Sequence, residues 1–180
     1  MAQIIDGACD FNNISAEDIG EYNIAMFGYG DFVMAVGKEL QYELVSNNEI
    51  QIKDGVFVTQ GRRGVIKKGS VDKCLIENGT QNQNRHDLIV MEYAKDEATS
   101  FESHTVKVIR GTAAETATDP EIITGDIANG DLIHQMPLYR VKLEGLNIVS
   151  VEKLFTVSGI LSLSDEDVIE IYEELYAGGE

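Results

Sequence analysis

The sequence predicts a mainly β protein of antiparallel, sandwich-like sheets, with a short N-terminal helix and an acidic C-terminal helix. Most of the chain between residues 32 and 148 either alternates apolar with polar side chains or forms short apolar runs between turn residues, as antiparallel strands do. Apolar residues recur at three- and four-residue spacing only near the two ends, which predicts the helices. With 180 residues and 43% hydrophobic composition, the chain is long enough to bury a sizeable core.

The first helix is predicted to begin after Ser15, which precedes Ala16-Glu17-Asp18 as an N-cap residue does. Its apolar residues Ile19, Tyr22 and Met26 share one face. Gly28-Tyr29-Gly30 is expected to end it.

Six strands are predicted in the first half of the chain. They span residues 32–36, 40–45, 49–52, 56–60, 64–66 and 73–77. Asn47-Asn48 and Asp54-Gly55 are the predicted turns between them, and the second pair is a strong signal for a hairpin.

The polar stretch of residues 78–84 predicts a crossing between two β units, because it contains no apolar anchor. Strands are then predicted at residues 88–93, 101–110 and 136–145, with a looser segment at 111–133. We therefore predict a helix and small β domain over residues 1–82, a second antiparallel β domain over 83–160, and an amphipathic helix over 164–177.

The C-terminal helix is predicted from Ser164 as N-cap and from an apolar stripe with helical spacing. The stripe consists of Val168, Ile171, Tyr172 and Leu175. Residues 164–180 carry seven carboxylates and no basic side chain. The stripe is expected to pack on its own domain or against copies of itself about a three-fold axis, and it is a candidate interface.

The charge balance disfavours two classes of partner. Fourteen basic residues against 31 acidic ones give a net charge of −17, which opposes binding to nucleic acid and to anionic membranes. No apolar run approaches the roughly 20 residues of a membrane span, and the N-terminus lacks a signal-peptide pattern. We expect synthesis and retention in a cytoplasm, with Cys9 and Cys74 as reduced thiols.

No constellation of residues indicates catalysis. The three histidines, His86, His104 and His134, have no metal-ligand spacing, and the glycine-rich loops at residues 28–30 and 61–64 lack a nucleotide-binding fingerprint. The sequence therefore predicts no catalytic, metal or cofactor-binding residue and no enzymatic activity.

One basic cluster interrupts the acidic chain and comprises Arg62, Arg63, Lys67 and Lys68. It is interpreted as a solvated hairpin tip. A second hypothesis is that Arg62 and Arg63 form an interface that receives an acidic surface of another copy, such as the C-terminal helix.

Arg85 and Asp87 are predicted to stabilise the junction before the second β unit. They lie two residues apart, on one face of a strand, where they can pair or satisfy backbone groups of the crossing. Both are interpreted as structural.

The phrase Arg85-His86-Asp87-Leu88-Ile89-Val90, with the polar stretch before it, resembles a signature of tailed-bacteriophage tail-fibre and baseplate proteins. Residues 48–61 are similar to the preceding sheet of that family, and the resemblance covers roughly residues 15–155. It implies a non-enzymatic virion protein of a phage or prophage tail tip, baseplate or fibre. Such a protein acts as a homo-oligomer, with a trimer favoured, and contacts other tail or baseplate proteins. The alternative is a carbohydrate-binding module that recognises host-surface glycans through loops at residues 111–133.

Overall fold

The computed structural model describes residues 14–158. Within this range the chain forms one helix, α1, and nine strands, so the predicted mainly antiparallel β fold with a short helix near its N-terminus is confirmed. The elements are α1 (Ala16–Phe27), β1 (Asp31–Gly37), β2 (Tyr42–Ser46), β3 (Glu49–Thr59), β4 (Arg62–Leu75), β5 (Asn84–Lys95), β6 (Glu102–Ile109), β7 (Ile133–Glu144), β8 (Asn147–Lys153) and β9 (Val157–Ser158). The predicted C-terminal helix lies outside the described residues.

Helix α1 is capped as its sequence predicts. The Ser15 hydroxyl accepts a hydrogen bond from the backbone N–H of Asp18, and the Asp18 carboxylate accepts one from the N–H of Ser15 at 2.8 Å. Gly28 ends the helix with a φ of 88°, a conformation that favours glycine. Among the described residues, no helix has the length and apolar character needed to cross a membrane.

The face that α1 turns toward the protein combines small, polar and apolar residues, since Ile24 and Phe27 are half-buried beside Gly20 and Asn23. Gly20 and Asn23 are buried, and the Asn23 side-chain amide donates to the Gly61 carbonyl at 2.8 Å. A Cβ atom on Gly61 would lie 2.5 Å from the carbonyl oxygen of Gly20, so the helix sits directly on the turn between β3 and β4. The apolar stripe of the helix is consequently left on the outside.

The first sheet has the strand order β2-β3-β1-β9, with β4 along the other edge of β3. Strand β3 is long enough to pair with β2 through its first half and with β1 through its second half. The short strand β9 adds to β1 in parallel, with Met34 opposite Ser158.

The predicted hairpin at Asp54-Gly55 is wrong, because β3 continues through these residues. The ladder with β4 shifts register between Lys53 and Gly55, which marks a bulge. A Cβ atom on Gly55 would lie 2.7 Å from the backbone nitrogen of Leu40, whose side chain is fully buried. Gly55 thus lets the β1–β2 connection cross the strand closely.

Replacing Gly55 with alanine is expected to lower the free energy of unfolding by about 1–3 kcal/mol, the usual cost of overpacking. The new methyl group displaces the Leu40 backbone and withdraws its side chain from the core. Chemical denaturation measures the change. Gly69→Ala is the control for a general glycine effect: its φ of 77° carries a backbone cost of its own, but a Cβ there meets no atom within 4 Å. A Gly55→Ala effect no larger than that of the control would contradict this account.

The second sheet has the order β6-β5-β7-β8, with antiparallel pairing throughout. Side chains from both sheets form one hydrophobic cluster, so the two sheets pack face to face as a sandwich. The Tyr139 hydroxyl crosses between them and donates to the Leu40 carbonyl at 2.9 Å. The chain passes between the sheets over residues 76–83, and the division into domains near residue 82 stays a prediction.

Candidate functional site

The structure brings Arg85 and Asp87 together in the core. Each side chain is only 1% exposed, and Nε and Nη2 of Arg85 lie 2.8 Å from the two carboxylate oxygens of Asp87. Arg85 also donates to the carbonyls of Glu77 and Asn78, in the crossing between the sheets. The two side chains therefore pair and contact the crossing, and their role in stabilising the junction stays a prediction.

Asp87 has a further partner that sequence reasoning missed. Its Oδ1 accepts a hydrogen bond from the backbone N–H of Gly111 at 2.9 Å, just after β6. A Cβ atom on Gly111 would lie 2.0 Å from the carbonyl oxygen of His86. The glycine in the sequence was the available signal, since only glycine allows so close an approach.

The structure separates Arg62 from the rest of the basic cluster. The Arg62 side chain is 14% exposed, its Nε lies 3.0 Å from the Glu102 carboxylate, and its Nη1 donates to the Ala16 carbonyl. Arg63, Lys67 and Lys68 are exposed. Because neighbouring residues of a strand point to opposite faces, Arg62 and Arg63 belong to different surfaces. The other predicted interface residues, Val168, Ile171, Tyr172 and Leu175, lie outside the described residues.

A hydrogen-bonded pair, the buried His134 and the half-buried Asp31, links β1 to β7 at one end of the sandwich. The Nε2 atom of His134 lies 2.6 Å from the Asp31 carboxylate, and its Nδ1 lies 2.8 Å from the Gly125 carbonyl oxygen. A carbonyl only accepts, so this shorter contact favours a proton on Nδ1 over the 3.1 Å contact of Nδ1 with the Gln60 amide nitrogen. The hydrogen bond to Asp31 raises the pKa of His134 against the opposing effect of burial. His134 is thus held toward its charged form.

His104 has the opposite environment. Its ring packs edge-on against Phe57 and Tyr93, with centroids 5.0 and 5.7 Å away, and its Nε2 lies 2.8 Å from the Thr59 hydroxyl oxygen. Burial lowers the pKa of His104 to about 4, despite the raising effect of the nearby Glu102 charge. The imidazole is therefore neutral near pH 7.

A cavity of about 170 Å³ lies between α1 and the second sheet, and Gln60, Arg62 and Tyr93 are among the residues that line it. Charged side chains line it, and among them Glu17 lies 4.0 Å from Arg62 and 3.8 Å from Lys95. Burial, reinforced by Glu102, raises the pKa of Tyr93 to about 12, so its hydroxyl keeps its proton at neutral pH. The cavity has room for a few water molecules and offers no activated nucleophile from Tyr93.

The described residues contain no reactive thiolate and no group of side chains arranged as a metal site. Burial raises the pKa of Cys74 to about 12, which keeps this buried free cysteine protonated; Cys9 lies outside them. Between residues 14 and 158, no group of three or more histidine, cysteine, aspartate or glutamate residues is arranged to hold a metal ion.

The segment between β6 and β7 is fastened to the second sheet. Asp119 forms an ion pair with Arg140 and lies 2.9 Å from Nδ1 of His86. Further along, the Gln135 side chain accepts from the N–H of Ile123 and donates to the buried Glu92 carboxylate. Residues 111–132 contain no aromatic residue.

Apolar side chains are exposed at several places on the described part of the chain, and two groups of them are considered for protein contacts. The first, the α1 stripe, consists of Ile19, Tyr22 and Met26, which are 52%, 64% and 48% exposed. The second is a groove on the outer face of the first sheet, where Val36 and Val65 are 53% and 58% exposed. Large exposed apolar side chains grouped in this way are typical of protein–protein contacts.

No model of a known protein family matches the chain, and no curated protein shows significant sequence similarity to it.

Proposed function

We propose that the protein is a non-enzymatic structural subunit of a phage or prophage tail tip, baseplate or tail fibre, and that it acts through oligomeric protein–protein interfaces. The placement in a virion rests on the sequence resemblance over residues 15–155. The observation that carries the structural role is the α1 stripe, three large apolar side chains that the fold leaves in solvent. A second copy of the chain covers this stripe in the proposed assembly.

The polar groups between the sheets support a structural role. Arg85, Asp87 and His134 each bind protein groups that belong to separate elements. Their hydrogen bonds are used to hold strands and connections in place, which is the work of a scaffold.

Self-association is expected to strengthen as the salt concentration rises. Each chain carries −17, so a trimer brings together a charge of −51, and salt screens the repulsion while leaving apolar contacts intact. Light scattering coupled to size-exclusion chromatography, at 50 mM and 500 mM NaCl, measures the mass of the particle. We expect a larger trimer fraction at the higher concentration.

The matched variants are Tyr22→Ser, in the α1 stripe, and Leu146→Ser, at the exposed β7–β8 turn. Tyr22→Ser is expected to shift the protein toward monomer, whereas Leu146→Ser leaves the mass unchanged. A monomer at both salt concentrations, at protein concentrations up to the millimolar range, would overturn the proposed assembly.

The carbohydrate-binding alternative places recognition in the loops of residues 111–133. Aromatic platforms are common in glycan sites, and residues 111–132 contain none. We therefore place this function second. Binding on a glycan array that is lost in Asp119→Ala, where the loop is released from Arg140, would reverse the order.

A further inference from the structure

The groove on the outer face of the first sheet combines apolar walls with a basic rim. Val36, Val56 and Val65 line it together with two lysines, Lys38 and Lys68, and one carboxylate, Asp54, so lysines outnumber carboxylates in its lining. Its volume is about 670 Å³, enough for several large side chains. The groove lies where β3 bulges at Asp54-Gly55 and where residues 67–70 of β4 leave the ladder.

Both lysines of the groove lack an ion-pair partner among the described residues. Five of the nine lysines form ion pairs with residues between 14 and 158. The four that form none within that range are Lys38, Lys67, Lys68 and Lys153. Two of them, Lys38 and Lys68, line the groove, so it attracts an acidic segment in a protein that is otherwise strongly negative.

The last described strand, β9, is directed toward the groove. Strand β9 runs parallel to β1, with Val157 opposite Val33 and Ser158 opposite Met34. The direction of the chain at Ser158 therefore follows β1 toward Val36 and Lys38, which line the groove. Ser164 is six residues further on, and six extended residues span up to about 20 Å.

We propose that the groove binds the acidic segment of the same chain, residues 164–177. This segment carries six carboxylates and no basic residue, together with the apolar side chains Val168, Ile171, Tyr172 and Leu175. Its carboxylates match the lysines of the rim and its apolar residues match the valines of the floor. The α1 stripe is a poorer partner for it, because Glu17, Asp18 and Glu21 lie beside that stripe.

Zero-length cross-linking with a carbodiimide tests the proposal on the full-length protein, since the reagent joins a lysine amine only to a carboxylate in contact with it. A mixture of ¹⁴N- and ¹⁵N-labelled chains, analysed by mass spectrometry of peptides, separates links within a chain from links between chains. We expect Lys38 or Lys68 to be joined to residues 164–177 within one chain, and Lys153 not to be. Links only between chains, links from Lys153 at the same frequency, or no link to residues 164–177 would each overturn the proposal.

Hydrogen exchange gives a second readout that does not require a reactive pair. The double variant Lys38→Glu/Lys68→Glu changes two exposed side chains and is expected to speed exchange in residues 164–177 about tenfold, equivalent to 1.4 kcal/mol at 25 °C. Lys153→Glu is the matched control and leaves the rate unchanged. Equal rates in the double variant and the control would contradict the docking, whatever the oligomeric state of the protein.

Discussion

Replacing Asp87 with alanine is expected to lower the free energy of unfolding by about 3–5 kcal/mol, the usual cost of removing one partner from a buried ion pair. The substitution leaves the Arg85 guanidinium charged in a site that is 1% exposed. It also removes the acceptor for the N–H of Gly111. The crossing between the sheets and the segment after β6 therefore lose the side chain that links them through hydrogen bonds.

Urea denaturation at pH 7 measures the effect. Asp72→Ala, an exposed carboxylate on β4, is the matched control and is expected to change the free energy of unfolding by less than about 0.5 kcal/mol. Asp87→Asn keeps an acceptor for Gly111 but loses the charge, so its stability should lie between those of the wild type and the alanine variant. An alanine variant within about 1 kcal/mol of the wild type would show that the pair does not hold the junction.

Features that depend on neighbouring residues could be predicted from the sequence. The capping of α1 needs only Ser15 and Asp18, three residues apart. The pairing of Arg85 with Asp87 follows from the alternation of a strand, because residues two apart share a face. The strands themselves follow from the same two-residue period.

Features that depend on distant residues could not be predicted. Asp54-Gly55 has the composition of a turn, and its actual role is set by the approach of Leu40 from another connection. The ion pair between Asp31 and His134 joins residues 103 positions apart, with no local pattern to mark it. Helix α1 packs on the distant Gly61 through Gly20 and Ile24, and this contact leaves the stripe of Ile19, Tyr22 and Met26 exposed.

The two histidines between the sheets give the fold opposite responses to pH. His134 has a pKa raised above its ordinary value of 6.5, so its stabilising charge is fully present below pH 6.5 and is lost as the pH rises through the folded-state pKa. His104 has a pKa lowered to about 4, so its neutral form stabilises the fold above pH 6.5 and this contribution is lost as the pH falls toward 4. The groups that face them are Asp31, Asp126 and the Gly125 carbonyl for His134, and Glu102 for His104.

The melting temperature is therefore expected to be highest near pH 6.5 and to fall on both sides, since the two contributions are complete together only there. A shift from 6.5 to about 4 corresponds to a loss of up to about 3 kcal/mol on the acid side from His104 alone. Differential scanning calorimetry from pH 4 to pH 9 measures the profile.

Because carboxylates also titrate below pH 5, the informative quantity is the difference in stability between the wild type and His104→Gln, which should shrink as the pH falls. Asp31→Asn removes the group that holds the proton on His134 and should flatten the alkaline side while leaving the acid side unchanged. If Asp31→Asn and the wild type lose stability equally between pH 6.5 and 9, the charge on His134 is not what joins β1 to β7.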